Sequence, residues 1–228
     1  MAVKVWGAML RFWKTDHGLS VFLALLVVSA FVLPPLAPIG PLGRFITDFV
    51  FSLLLIAGVV SVTERRWVLV AVSVAAAAAL LVRWVGWLMP TVDLAMGNAW
   101  SKLITFGLFS CVVLAQIFRR GPVTVHRIQG AAAVYLLLGL VWASAYDIVA
   151  LRHPDAFAGV AAGDGEGTWQ HWLYFSFVTL TTMGYGDITP VHPAARSLAV
   201  MEALVGQLYP AILLARLVSL EVQSRSSD

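Results

Sequence analysis

From Trp67 to Met89 the chain runs through a helix-length of apolar residues broken by a single charge, Arg83, and comparable runs recur along its 228 residues. A run of roughly 20 such residues is long enough to cross the hydrocarbon of a bilayer. Backbone polar groups have no partner in lipid, so each run must satisfy its own hydrogen bonds as a helix. Composition agrees, with 60% hydrophobic and 12% charged residues and a mean hydropathy of +0.87, and it excludes an ordinary water-soluble domain. The formal charge of +3 does not point to nucleic acid, because the basic residues fall between the runs and not in a patch. The lone Cys111 excludes an intrachain disulfide and, inside an apolar run, reads as packing.

The runs are separated by breakers. Met1 to Gly18 sets Lys4, Arg11 and Lys14 near one helical face, which suits an interfacial helix or a plain basic flank. Leu19–Leu33 is short enough for a signal-peptide core with Ser29-Ala30-Phe31 as its cleavage region. The spans that follow favour a retained helix, turned by Pro34, Pro35, Pro38 and Pro41. Further spans are expected over Phe45–Val62, Trp67–Met89, Val92–Phe118 and Val125–Ala150, closed by Glu64-Arg65-Arg66, by Pro90 and by Arg119-Arg120-Gly121-Pro122. The alanine run Ala75–Ala79 invites close helix approach. With the N-terminus inside, Lys4, Arg11, Lys14, Arg65, Arg66, Arg119, Arg120, Arg127, Arg216 and Arg225 gather in the cytoplasm, against Arg44, Lys102, Arg152 and Arg196 outside. The positive-inside rule therefore puts both termini in the cytoplasm of a plasma (cell inner) membrane. His153–Gly167, with Asp155, Asp164 and Glu166, is then an outer loop, either a source of negative field or a solvated acidic loop.

One stretch does not fit a span. Trp169–Thr181 is an aromatic helical pattern too brief to cross about 30 Å, and such a segment is tolerated at membrane depth only inside protein or beside water. Thr181-Thr182-Met183-Gly184-Tyr185-Gly186-Asp187 follows at once. Gly184 and Gly186 accept left-handed conformations that a β-branched residue resists. When handedness alternates, successive carbonyls face one side instead of alternating, and a line of such oxygens binds a bare cation. Thr182 adds a hydroxyl at the inner end, and Tyr185 packs outward.

Thr182-Met183-Gly184-Tyr185-Gly186-Asp187 resembles the selectivity filter of tetrameric potassium channels, where Val is usual in place of Met183. The resemblance covers Val125–Leu220 and implies an all-α membrane protein, a homotetramer with six transmembrane helices per subunit, a re-entrant pore helix and a filter loop. It implies K+ held by the carbonyls of Thr182, Met183, Gly184 and Tyr185 with Gly186 completing the filter, and no organic cofactor. Filter support falls to Thr181, Asp187, Val178, Trp172, Tyr174 and Phe175, with the negative end of the pore-helix dipole toward the cation. Val178 stands where some bacterial relatives place a bracing glutamate. In the last span, Pro193–Leu220, Gly206 takes the inner-helix hinge position with Pro210 one turn on. Gln207, Pro210, Leu214 and Val218 then turn toward the conduction path, or else make ordinary bundle contacts. Met183 makes the filter wall more flexible than a β-branched residue would.

The expected organisation is an interfacial helix over 1–18, a four-helix region over 19–120 resembling a degenerate voltage sensor, a pore region over 121–220 and a cytoplasmic tail over 221–228. Between Leu103 and Phe118 there is no basic residue, so the arginine ladder of a steep voltage sensor is missing. The tail is too small for a cytoplasmic sensing domain, which leaves membrane lipids, protons, or an unidentified gating subunit or ligand. Charges in or near spans mark function or pairing. Glu202 either hydrogen-bonds the pore helix and tunes the inner field, or pairs with Arg196; Asp48 and Arg83 pair or snorkel; Asp147 reads as interfacial. The five histidines, His17, His126, His153, His171 and His192, lack metal-ligand spacing and a nucleophile, so an enzyme is not expected. His171 and His192 either flank the outer mouth as pH-sensitive groups or are solvated loop residues. Two other readings remain: a subunit of a potassium-uptake complex, and a non-conducting membrane scaffold or sensor.

Overall fold

The computed structural model describes residues 17–36, 40–61, 66–89, 93–118, 125–160 and 168–225. The expected interfacial helix before His17, Pro38, Glu64-Arg65, Pro90, the Arg119-Arg120-Gly121-Pro122 break, Asp164, Glu166 and the tail beyond Arg225 lie outside the described residues. The described helices are α1 (His17–Val27), α2 (Pro41–Ser61), α3 (Arg66–Leu88), α4 (Ala95–Ile117), α5 (Val125–Arg152), α6 (Thr168–Leu180) and α7 (Pro193–Arg225). A two-residue pair, β1 (Phe157–Ala158) and β2 (Thr189–Pro190), runs antiparallel with Phe157 opposite Pro190 and Ala158 opposite Thr189.

Five of these helices, α2, α3, α4, α5 and α7, are long and apolar enough to cross a membrane. The first is not. Gly18–Val32 is apolar but shorter, about 22 Å at ~1.5 Å per residue, and α1 ends in a π-helical turn over Val28–Val32 where the Leu33 N–H reaches the Val28 carbonyl at 3.0 Å. Several ends carry their own signals. Pro41 opens α2, where a missing N–H costs nothing. Asp93 accepts the Ala95 N–H at 3.0 Å just ahead of α4, which begins three residues later than the apolar pattern predicts, with Leu94 at its N-cap.

The spine of the molecule is α5. It packs against α1 and α4 on one side and α6 and α7 on the other, and Ala133, Val134, Leu137 and Ala143 are fully enclosed. A helix apolar all round belongs in such a position. Phe109 of α4 meets Phe22 of α1 edge-on at 5.8 Å, and Phe106 meets Phe51 of α2 at 5.7 Å. The alanine run works as its sequence implies: Ala76 and Ala79 are buried, and the Thr105 hydroxyl of α4 reaches the Ala75 carbonyl at 3.3 Å.

The membrane charges are paired. Arg83 bonds Asp48, whose other oxygen accepts the Trp87 indole N–H at 2.5 Å. Asp147 is not interfacial, as expected from its place near the end of a span, but buried, with Lys102 bonded to it at 2.9 Å. The sequence placed Lys102 among outer-turn polar residues, whereas its ammonium also lies 3.8 Å over the Trp169 ring. Burying either charge alone costs several kcal/mol, so each needs the other. Cys111, expected to be packed, sits instead on the exposed face of α4.

Candidate conduction site

The loop after α6 is built on a helix cap. The Met183 N–H bonds the Val178 carbonyl at 3.0 Å and the Thr182 N–H bonds the Thr179 carbonyl at 2.9 Å. These are the two bonds of a Schellman motif, which requires a left-handed residue between them, usually glycine. Here that residue is Thr182, at φ +58°. A β-branched residue in that region is a true outlier, at a cost of about 1–3 kcal/mol. Gly184 and Gly186 follow at φ +59° and +78°, while Met183 and Tyr185 stay at negative φ. The alternation expected of the two glycines therefore starts one residue pair earlier, at a threonine. All of Thr181–Asp187 is exposed on the single chain, and a Cβ at Gly184 or Gly186 would meet nothing within 4 Å.

Three contacts hold this cap from behind. Gly206 of α7 lies so close that a Cβ there would stand 1.9 Å from the Leu180 carbonyl oxygen, which also accepts the Tyr135 hydroxyl at 3.2 Å. Glu202, one turn earlier and fully buried, accepts hydrogen bonds from Ser176 of α6 at 2.6 Å and from Tyr146 of α5 at 2.5 Å. Ser176 also reaches the Gly139 carbonyl at 2.7 Å. Of the two arrangements open to Glu202, the contact with the short helix is the one present; Arg196 donates instead to the Pro190 carbonyl at 3.1 Å.

The far end of the loop is pinned to the preceding turn. A Cβ at Gly159 would fall 1.8 Å from the Asp187 carbonyl oxygen, so only glycine permits the approach. Tyr174 stacks on Tyr185 with ring centres 6.5 Å apart, and hydrogen bonding to Tyr174 holds the Asp187 carboxyl below its ordinary value. His153 and His192, which sequence treats as scattered, stack at 4.2 Å, and the His192 Nδ1 accepts the Ala194 N–H at the start of α7.

A family model described as "Ion channel" matches residues 131–223. The chain is 36% identical over 87 residues to Protein LctB of Bacillus caldotenax, covering 37% of this chain and 64% of that protein. It is 51% identical over 47 residues to Two pore potassium channel c of Oryza sativa subsp. japonica, covering 21% and 10% respectively. Residues 131–223 are an ion-channel domain. A third match, 43% over 58 residues, is to Protein LctB of Geobacillus stearothermophilus, with 25% of this chain and 42% of that protein aligned. The chain spans less than two thirds of the length of each of these relatives.

This is a family of ion channels and not of enzymes. The channel domain and the apolar helices make the chain an integral membrane protein. Within the domain, the residues singled out by sequence lie in the loop, on α6 and on α7. Thr181, Thr182, Met183, Gly184, Tyr185, Gly186 and Asp187 form the exposed loop, with Val178 supplying the capping carbonyl. Trp172 and Phe175 point the other way, into a cluster with Phe157 and Tyr146: Trp172 lies 4.6 Å from Phe157, and Phe175 4.8 Å from Tyr146. Tyr174 is the aromatic that stacks on the loop, against Tyr185. On α7, Gln207, Leu214 and Val218 are exposed, and Pro210 borders an apolar groove with Tyr135 and Leu23. The helix runs unbroken through Gly206 and Pro210. Tyr146 and Ser176, the partners of Glu202, were not singled out by sequence, since nothing local to either marks a carboxylate 56 or 26 residues away.

Proposed function

We propose that the protein is a potassium-selective channel in which four copies surround one ion path. The observation that carries this reading is the alternation of handedness at Thr182, Gly184 and Gly186 at the C-terminal end of a short helix, in a loop left bare by its own chain. Carbonyls of Thr182, Met183, Gly184 and Tyr185, with the Thr182 hydroxyl, replace the water of a dehydrated K+. One loop cannot encircle an ion, and fourfold cyclic symmetry supplies the rest. The strain at Thr182 has a use in this account, because glycine would fill the cap more easily but bring no hydroxyl. The negative end of the α6 dipole adds to the attraction.

The remaining assignments belong to the same proposal. Residues 19–120 form a sensor-like region without gating arginines and 121–220 the pore, with both termini in the cytoplasm of a plasma membrane. Gly206 serves the close approach of α7 to α6 and is also the hinge position, and Gln207, Leu214 and Val218 line the path. The test is uptake of Rb+ by proteoliposomes loaded with KCl. Uptake is expected for the wild type and is lost in Gly184→Asp at equal protein incorporation; uptake that survives the substitution rejects this loop as the filter.

A further inference from the structure

His153 follows the last residue of α5 and His192 precedes the first of α7. Their imidazoles lie face to face, with centres 4.2 Å apart and planes 14° from parallel. The backbones behind the rings are tied as well. The Ala156 carbonyl accepts the Val191 N–H at 2.8 Å and the His192 N–H at 3.1 Å, while the Ala156 N–H returns to the His153 carbonyl at 2.9 Å. The β1–β2 pair continues this clasp, and Gly159 just beyond it rests on the Asp187 carbonyl. The far end of the loop Thr181–Asp187 is therefore held by a structure that begins at two stacked histidines.

Both features of the pair need uncharged rings. His192 accepts the Ala194 N–H on Nδ1 at 3.2 Å, so the neutral ring carries its proton on Nε2. A further proton has only Nδ1 to go to, where it turns the acceptor into a donor facing another donor. It also sets a cation at the N-terminus of α7, the positive end of the helix dipole. With both rings protonated, two like charges face each other across the stack. Compensation is scarce: among the described residues no carboxylate is bonded to either ring. Arg152 precedes His153, Asp155 lies in the turn after it, and Arg196 of α7 donates to the Pro190 carbonyl. On α6 the titratable groups are His171 and Tyr174, the latter engaged with Asp187. His153 is exposed and His192 half-buried, so protons reach the pair.

We propose that His153 and His192 form a proton-operated clasp, closed while the rings are neutral, which opens in mild acid and releases the far end of the loop. Its effect on conduction rests on the channel reading. A transition metal suits the pair less well, because the His192 Nδ1 faces a backbone N–H and the lone pairs of near-parallel rings do not converge on one ion. Asp187 belongs to another pH window, since its carboxyl is held below its ordinary value and keeps its charge while histidines titrate.

The test follows hydrogen-exchange protection of the amides of residues 191 and 192, corrected for the intrinsic pH dependence of exchange, in the full chain in phosphatidylcholine nanodiscs. Between about pH 8 and about pH 5 the wild type should lose protection roughly tenfold or more. His192→Asn keeps an acceptor for the N–H two residues on but takes no proton in this range, so its protection should stay level. His153→Phe keeps a ring to stack and removes the second charge, so its loss should move to lower pH. Unchanged wild-type protection overturns the clasp, and so does an equal loss in His192→Asn, which assigns the proton to another group. A loss at the wild-type pH in His153→Phe overturns the part given to His153. In the Rb+ assay, wild-type uptake should fall about twofold or more over the same range and that of His192→Asn should not. A clasp that opens with no change in uptake overturns the link to conduction. Absence of wild-type uptake at every pH overturns the channel reading and leaves the exchange result standing.

Discussion

Two long apolar helices of this protein, α5 and α7, treat the rest of the chain in opposite ways. Half of the α5 span is buried by the chain's own packing, against 11% of the α7 span. Both are equally suited to a membrane by hydropathy, 1.8 and 1.7, so composition does not explain the difference. Position does. α5 is enclosed by α1, α4 and α6, while α7 touches its own chain along one edge, through Glu202, Gly206 and Tyr209, whose hydroxyl reaches the Ala131 carbonyl at 2.8 Å. The opposite stripe of α7, Val200, Leu204, Leu208 and Ile212, is more than half exposed at each position. The helix that carries the least internal packing is the one the channel reading surrounds with other copies.

The sharpest break in the comparison comes from α5. Asp147→Asn leaves the Lys102 ammonium buried without its charge partner, and a loss of about 3–5 kcal/mol is expected, read as a fall in thermal stability of the purified protein. Lys102→Met with Asp147→Leu should restore most of it, since an apolar pair of similar size carries no desolvation cost.

On α7 the corresponding substitution is Gly206→Ala. The added methyl meets a backbone carbonyl that cannot rotate away, so about 3 kcal/mol is expected, together with loss by crosslinking of the tetramer that the channel proposal requires. A stable, conducting Gly206→Ala protein would mean that α7 can move away from α6 at little cost.

Glu202→Ala ranks next. It deprives the Tyr146 hydroxyl of its acceptor and leaves Ser176 only the Gly139 carbonyl, at a cost of about 2 kcal/mol, and the potassium-to-sodium preference should fall while assembly persists. Glu202→Gln, which retains an acceptor oxygen, should show a smaller change in both.

How much of this was legible in the sequence depends on how far apart the interacting groups lie. The spans follow from runs of apolar residues, and the loop from Gly184 and Gly186, because each signal is contained in a few neighbouring positions. Thr182 shows where local reasoning stops. β-branching argues against a left-handed residue, and only the cap bonds back to Val178 and Thr179 explain why the chain adopts one. The Lys102–Asp147 pair bridges 45 residues and the Tyr146–Glu202 bond 56; no periodicity reveals such partners, which meet only because α5 stands between two groups of helices. The pairing of β1 with β2 escaped for the same reason, being two residues long on each side of the loop it closes.

The smallest effects test the exposed surfaces. Leu208→Asn should change the stability of a single chain by no more than about 0.5 kcal/mol, yet weaken the proposed tetramer; unchanged assembly would assign that stripe to lipid. Tyr174→Phe removes the bond that depresses the Asp187 carboxyl. A carboxyl with a lowered folded value contributes stability above its unfolded value, lost as pH falls through the folded one. The wild-type loop should thus keep its charge to more acidic pH than Tyr174→Phe, seen as an acid shift in the external-pH dependence of conductance.

The most direct measurement is the reversal potential of the purified protein in planar bilayers under opposed potassium and sodium gradients. Reversal at the potassium equilibrium potential, abolished with the current by Gly184→Asp, is the predicted result. Current that reverses near zero would contradict potassium selection by the carbonyls of Thr182 to Tyr185, and would turn attention to Met183, where a flexible side chain replaces the usual β-branched one.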